Sequence, residues 1–255
     1  MLLAVDIGNT NVTLGVFEGE QLRATWRMAS NANQVTDEYA VLLINLLQFK
    51  GISPSDIKDI TLCSVVPPLT TTFTSLSQRY FDITPLVVGA GVRTGVHIRF
   101  DNPKEVGPDR IANAAAAQHL YSGPVIVIDV GTATTFDVVS KEGDWIGGAI
   151  ATGIGTAAEA LFSRTAALPR VELVHPKQAI GTSTITAMQS GIVFGYVGLI
   201  EGVVARILEE LGEKSMVVAT GGYASLMANE TPVINEVNPD ITLIGLRLIY
   251  EMNKT

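Results

Sequence analysis

Strand-length apolar runs open the chain, separated by short polar turns. Residues 2–5, 12–17 and 22–28 form three such runs, with Asp6-Ile7-Gly8-Asn9-Thr10-Asn11 filling the first gap and Gly19 the second. This is the pattern of a three-strand meander. The period then changes: Tyr39, Leu42, Leu43, Leu46 and Leu47 fall on one helical face within 36–49, with Thr36 placed to cap it. A strand is expected over 57–66, ending at Pro67-Pro68, then a helix over 70–81 and a short strand at 86–88. Residues 89–107, rich in Gly, Pro and charge, read as a long loop, and long loops in compact domains are often functional. A helix follows over 108–121 with proline in its first turn.

The pattern then restarts. Residues 125–150 repeat the strand, turn and strand theme, and helices are expected over 156–162 and 183–211. A strand at 216–219 leads into the Gly221-Gly222 turn, a helix starting over 223–227, and a final amphipathic helix over 241–252. The order strand-strand-strand-helix-strand-helix, met twice, fits a duplicated α/β fold better than one parallel sheet. The boundary is expected within 115–122, giving half-domains 1–118 and 119–255.

Composition narrows the function. The 255 residues are 47% hydrophobic and 16% charged, so a large core is available and long disordered stretches are not expected. A net charge of −8 argues against a general nucleic-acid or anionic-membrane binder. Any phosphate site must therefore be built locally, from backbone dipoles and bound cations. Cys63 is the only cysteine, which excludes an intrachain disulfide and a cysteine metal cluster; it reads as a core residue. The N-terminus lacks a basic segment and Asp6 interrupts its apolar start, so no signal peptide is expected and the cytoplasm is the expected location.

The two strand turns carry the candidate chemistry. Leu3-Ala4-Val5-Asp6-Ile7-Gly8-Asn9-Thr10-Asn11 returns as Val127-Ile128-Asp129-Val130-Gly131-Thr132-Ala133-Thr134-Thr135, aligning Asp6 with Asp129 and Gly8 with Gly131. Glycine and small hydroxyl residues let backbone N–H groups approach phosphate, and the Asp can face a cation. No Gly-x-x-x-x-Gly-Lys-Ser/Thr occurs, so phosphate would rest on the backbone of Gly8 to Asn11 and on Thr10 and Asn11, with Asp6 acting on a hydrated Mg²⁺. The alternative for one copy alone is an ordinary hairpin turn; the second copy weighs against it. Asp129, with Thr132, Thr134 and Thr135 nearby, suits a hard cation, while Asp137 reads as structural.

Gly107-Pro108-Asp109-Arg110 lies where the long loop meets a helix N-terminus, an end that attracts anions. Arg110 could grip a carboxylate or phosphate, and Asp109 could accept the proton of an attacking hydroxyl. The alternative is a helix cap beside a surface Arg. Gly153-Ile154-Gly155-Thr156-Ala157-Ala158 fits a loose dinucleotide fingerprint, but its surroundings are a meander and not a βαβ unit. His97, His119 and His175 are scattered without ligand spacing and read as non-catalytic. The apolar stretch 191–208 has the look of a membrane span, but Glu201, Arg206 and Glu209-Glu210 argue against one. Gly191, Gly195, Gly198 and Gly202 share one helix face. Each glycine costs about 1 kcal/mol against alanine in a helix, so the stripe predicts close backbone packing, within the chain or across a homodimer.

Taken together, these residues resemble the type III pantothenate kinases, members of the superfamily of acetate and sugar kinases, heat-shock chaperone ATPases and actin. The resemblance rests on Asp6-Ile7-Gly8-Asn9-Thr10, on Gly107-Pro108-Asp109-Arg110 followed by Asn113, and on Asp129-Val130-Gly131-Thr132-Ala133-Thr134-Thr135. Gly147-Gly148, Thr165-Ala166-x-Leu168-Pro169 and Thr220-Gly221-Gly222 add to it. It implies a duplicated actin-like (ribonuclease H-like) fold, two similar halves around a nucleotide cleft. It further implies ATP-dependent phosphorylation of pantothenate at its 4′-hydroxyl, the first step of coenzyme A synthesis. Under that resemblance Asp109 is the proton acceptor, and Gly107, Pro108, Asp109 and Arg110 contact pantothenate. Asp6, Ile7, Gly8, Asn9, Thr10, Asn11, Val12, Thr13 and Thr132 contact ATP, which carries Mg²⁺. Asp129 binds the required monovalent cation, K⁺ or NH₄⁺; Thr184 matches a substrate-contacting threonine; and the enzyme is a homodimer with no nucleic-acid or membrane partner. Phe100 stands where the family often has a substrate-contacting tyrosine, and Thr152-Gly153 replaces its usual Pro-Gly. The competing readings are a nucleotide-binding accessory factor for transcription and a kinase of the same fold with another acceptor.

Overall fold

A computed structural model describes residues 1–254 and shows two five-stranded sheets of the same design. In the first, β1 (Leu2–Ile7), β2 (Asn11–Glu18) and β3 (Gln21–Ala29) form an antiparallel meander. The chain then runs through α1 (Thr36–Phe49) to β4 (Asp59–Ser64), parallel to β1, and through α2 (Pro67–Phe81) to the short edge strand β5 (Leu86–Val87). The strand order is β3-β2-β1-β4-β5. After α3 (Pro108–Leu120) the design repeats with β6 (Val125–Val130), β7 (Ala133–Val139), β8 (Trp145–Thr152), α4 (Ile154–Arg164), α5 (Thr184–Leu211) and β9 (Met216–Thr220). α6 (Ala224–Ala228), β10 (Glu236–Val237) and α7 (Ile241–Asn253) follow. The second sheet, read from β8, has the equivalent order β8-β7-β6-β9-β10. The duplicated α/β fold expected from the sequence is the fold observed.

The chain divides into two compact units. One holds residues 1–96, 102–116 and the C-terminal segment from Ile241; the other holds 97–101 and 117–240. The first unit thus recovers the last helix, which a cut at 118/119 assigns to the second. Its core gathers Leu3, Val5, Ile7, Leu14, Leu62 and Phe73 with the α1 face Tyr39, Leu43 and Leu47. α7 packs on β1, β2 and β4, so β1 is covered on both faces and its sequence is a continuous apolar run. α7 also crosses α3 so closely that a Cβ on Gly245 would overlap the Ala112 carbonyl. The core of the second unit joins Ile126, Ile128, Val130 and Phe136 to Ile154, Val193, Ile200 and Val217.

Local corrections have local causes. Leu42 is 44% exposed, so the buried stripe of α1 is narrower than its apolar pattern. Val35, and not Thr36, is the N-cap, its N–H held by Glu38 Oε2 at 2.9 Å. Pro67 and Pro68 begin α2 and do not merely precede it, because the first helical turn needs no N–H donors. β10 escaped notice because two residues carry no periodicity. Gly153 to Ala158 follows a strand antiparallel to β7, so the βαβ context of a dinucleotide fingerprint is absent.

Candidate active site

In the first unit, the β1–β2 turn places Asp6 opposite Thr13 on β2 and beside Cys63 on β4. Gly8 N–H donates to the Asn11 carbonyl at 3.0 Å, closing the turn. Cys63 is fully buried, as the sequence suggested, and its Sγ–H also donates to Asp6 Oδ1 at 3.3 Å. Burial of the Asp6 carboxyl, then the charge of Asp109, push its pKa up to about 7; the Cys63 hydrogen bond and the Arg27 charge oppose the rise. The same burial pushes the Cys63 thiol well above its ordinary value, keeping it a neutral donor.

Asp109 follows Pro108 in the first turn of α3. Burial raises its pKa, against the opposing pull of the Arg110 and Asp109 backbone N–H groups and the Arg110 charge. Its Oδ1 is buried without a hydrogen-bond partner. Gly107 leaves room for that oxygen, since any Cβ there would overlap it. Asn113, one turn along α3, accepts from Thr242 Oγ1 at 2.7 Å, while its Nδ2 is buried without a partner. Thus the segment 6–13 and the motif 107–110 belong to one unit and bring two carboxylates into electrostatic contact. An unpaired buried carboxylate oxygen is costly unless something else occupies its hydrogen-bonding position.

In the second unit, the β6–β7 turn is one residue tighter: Val130 pairs with Thr134, where Ile7 pairs with Val12, and Gly131 N–H donates to the Ala133 carbonyl at 3.0 Å. Asp129 lies opposite Thr135 and beside Thr220 on β9. Glycines wall its carboxylate: a Cβ on Gly221, whose φ is +93°, would overlap Oδ1, and one on Gly131 would stand 3.3 Å from it. The sequence marked Gly221-Gly222 as a turn; its role in clearing space around Asp129 was not legible. Thr134 Oγ1 is buried without a partner, and Asp137 is buried with Thr135 Oγ1 at 3.5 Å. Among the described residues no three His, Cys, Asp or Glu side chains gather as a metal cluster. The Asp129 carboxylate, in a turn that also carries Thr132, Thr134 and Thr135, offers the oxygen donors that a hard cation prefers.

The other predicted contacts stand on separate elements of the second unit. Phe100 packs on Trp145 with ring centroids 4.7 Å apart. Its segment is pinned to β8 by a parallel bridge between Ile98 and Trp145 and by Arg99 Nε donating to Asp144 at 2.6 Å. The exposed His97 also faces the half-buried Asp144, at 3.4 Å. Thr184 is the first residue of α5, after the N-cap Ser183, and lines an open apolar groove of about 1310 Å³ with Leu161, Gly191, Gly195 and Tyr196. Apart from the backbone of its own helix and its chain neighbours, no heavy atom of the described residues lies within 4 Å of a Cβ built on Gly191, Gly195 or Gly198, and Gly202 meets only the Arg206 side chain of its own helix. Among the described residues, the close intrachain packing offered as one explanation of the stripe is therefore not found over these three glycines. By length and composition alone α5 could cross a membrane, since one 18-residue window of it has a mean hydropathy of 1.8, but a core helix passes the same test.

Comparison with known proteins identifies the family and the fold. The family model described as type III pantothenate kinase matches residues 2–206. The type III pantothenate kinase of Dehalococcoides mccartyi strain CBDB1 is 58% identical over 253 residues, covering 99% of this chain and 96% of that protein. That of Moorella thermoacetica is 50% identical over 253 residues, covering 99% and 100%. Among solved structures, a Campylobacter jejuni protein described as a Baf family transcriptional activator superposes with a TM-score of 0.61 at 20% identity, covering 98% of each chain. A ROK hexokinase from Thermus thermophilus superposes at 0.50 with 14% identity and 99% coverage of each. At these identities the structural likenesses speak for the fold.

Proposed function

The chain belongs to the type III pantothenate kinases and phosphorylates pantothenate at the expense of ATP in coenzyme A synthesis, and from that premise we propose how its residues divide the work. The family uses ATP with Mg²⁺ and a monovalent cation. Residues 6–13 and Thr132 hold the phosphates of ATP through backbone N–H groups and hydroxyls. Asp6 would face the hydration shell of the Mg²⁺ that ATP carries, which would supply neutralisation of phosphate charge. Asp129, in its glycine-walled turn, would hold K⁺ or NH₄⁺, which would supply positive charge there. Gly107 to Arg110 receive pantothenate, with Phe100 and Thr184 as further contacts. Phe100 offers its ring without a hydroxyl, so that contact is apolar.

Asp109 is the proton acceptor for the pantothenate 4′-hydroxyl. The observation that carries this role is its buried Oδ1, which has no partner and sits in the space left by Gly107. A substrate hydroxyl donating to that oxygen satisfies it and is oriented by it. Its raised pKa makes it a better base than an ordinary carboxylate. The open glycine face of α5 supports a homodimer, and the net charge of −8 supports an enzyme without nucleic-acid or anionic-membrane partners; the cytoplasm is the location that fits its small-molecule reaction.

The testing experiment is ADP release with MgATP and pantothenate, in K⁺ and again in Na⁺. Turnover that requires both pantothenate and K⁺ is expected. Equal turnover in Na⁺ would remove the cation from Asp129, and turnover without pantothenate would point to another acceptor.

A further inference from the structure

Both strand turns are gripped from behind by a hydroxyl group that the sequence reading left unassigned. In the first unit, Ser30 directly follows β3. Its Oγ–H donates to the Gly8 carbonyl at 2.6 Å, and its N–H donates to the Thr10 carbonyl at 3.0 Å. In the second unit, Gly153 directly follows β8. Its N–H donates to the Thr132 carbonyl at 3.1 Å, and Thr156 Oγ1 donates to the same carbonyl at 2.8 Å. β3 and β8 are equivalent outer strands of the two meanders, so Ser30 and Gly153 hold corresponding positions. A serine cannot stand at 153, because its Cβ would overlap the carbonyls of Gly131 and Thr132. The hydroxyl arrives instead from Thr156, in the first turn of α4. Two halves with different local sequences thus deliver one backbone donor and one hydroxyl donor to the same part of the turn.

The consequence follows from peptide geometry. Across a planar trans peptide, the carbonyl of one residue and the N–H of the next point in opposite directions. Drawing the carbonyls of Gly8, Thr10 and Thr132 toward Ser30 or Thr156 therefore aims the N–H groups of Asn9, Asn11 and Ala133 away from these residues. A phosphate oxygen is attracted by an N–H and repelled by a carbonyl, so one flipped peptide turns a cradle into a barrier. Glycine-containing turns resist such flips weakly. We infer that Ser30 and Thr156 are positioning residues for ATP, locking the peptide planes of the two turns with their N–H groups toward phosphate. This rests on the reading that both turns hold the phosphates of ATP.

The test uses the full chain with Ser30→Ala and Thr156→Val, each beside its conservative partner, Ser30→Thr and Thr156→Ser. Rates are measured with MgATP and pantothenate varied separately, together with competitive inhibition by ADP and thermal melting. Loss of one such hydrogen bond is expected to raise the KM for MgATP about tenfold and weaken ADP inhibition by a similar factor. The KM for pantothenate stays unchanged, and the conservative variants restore ATP use. Unchanged ATP and ADP constants in both truncations, or equal losses for both substrates, overturn the inference. Gly131→Val, which alters the second turn itself, separates the premise from the inference. If it leaves nucleotide constants unchanged, that turn does not hold phosphate. If it abolishes nucleotide use while Thr156→Val does nothing, only the positioning role fails. Thr156 is exposed, so its variant carries the test even if Ser30→Ala melts early.

Discussion

Asp109 and Asp6 are two half-buried carboxylates with different expected answers to substitution. Replacing Asp109 by Asn removes a base and keeps the shape, so kcat should fall by about 10²- to 10⁴-fold while the KM for MgATP changes little. A base works deprotonated. Wild-type activity should therefore rise with pH through a carboxyl pKa above 3.8, and Asp109→Asn should lose that limb. Near-normal turnover in Asp109→Asn would remove the base from the mechanism. Asp6 titrates near 7 in the folded protein and near 3.8 when unfolded. Its charge therefore opposes folding: stability is greatest below the unfolded value and declines as pH rises through the folded one. Without ligands, Asp6→Asn should melt above the wild type at pH 8 and level with it at pH 4. The shift sets an upper bound of about 4 kcal/mol, reduced by partial exposure. Equal melting at both pH values would refute the burden. The sequence announced both residues, because Asp-x-Gly turns and Gly-x-Asp-Arg are contiguous. It could not announce their burial, the Cys63 hydrogen bond or the orphaned oxygen, which arise from strands and helices distant in sequence.

Helices and strands set the next level, and there glycines decide what can approach what. Gly245 of α7 faces the Ala112 carbonyl of α3, with no room for a methyl group. Gly245→Ala should force the helices apart and cost about 1–3 kcal/mol, read by denaturant unfolding. A neutral result would mean that the crossing yields easily. The glycines of α5 make the opposite case, since open space lies over three of them. Gly195→Leu should leave the monomer fold intact and weaken dimerisation in sedimentation. An unchanged dimer would place the interface elsewhere. Most elements were legible from period and punctuation, as with α1 at Thr36–Phe49. Glycine's purpose was not: Gly245 and Gly195 look alike in sequence, and only their surroundings tell a tight crossing from a bare face.

At the scale of the molecule, the duplication was legible because both halves repeat the same turn and the same order of elements. The path of α7 was not, because an amphipathic helix does not say which sheet it covers. It covers β1, β2 and β4, so the first unit is discontinuous while most of the second is one stretch, 117–240. That fact bears on how the protein is made. As a ribosome emits the chain, β1 to β5 emerge first, yet the helix that covers the far face of their sheet emerges only after residue 240. Domains usually fold in the order in which they are synthesised. Here the later unit has nearly all its sequence while the earlier one still waits for its last helix. From the end of β5 to the start of α7, about 150 residues of translation at roughly 5–20 residues per second, one face of the first sheet is without that cover. Nascent-chain chaperones thus have a window of roughly 8 to 30 seconds in which that exposed sheet is their natural client.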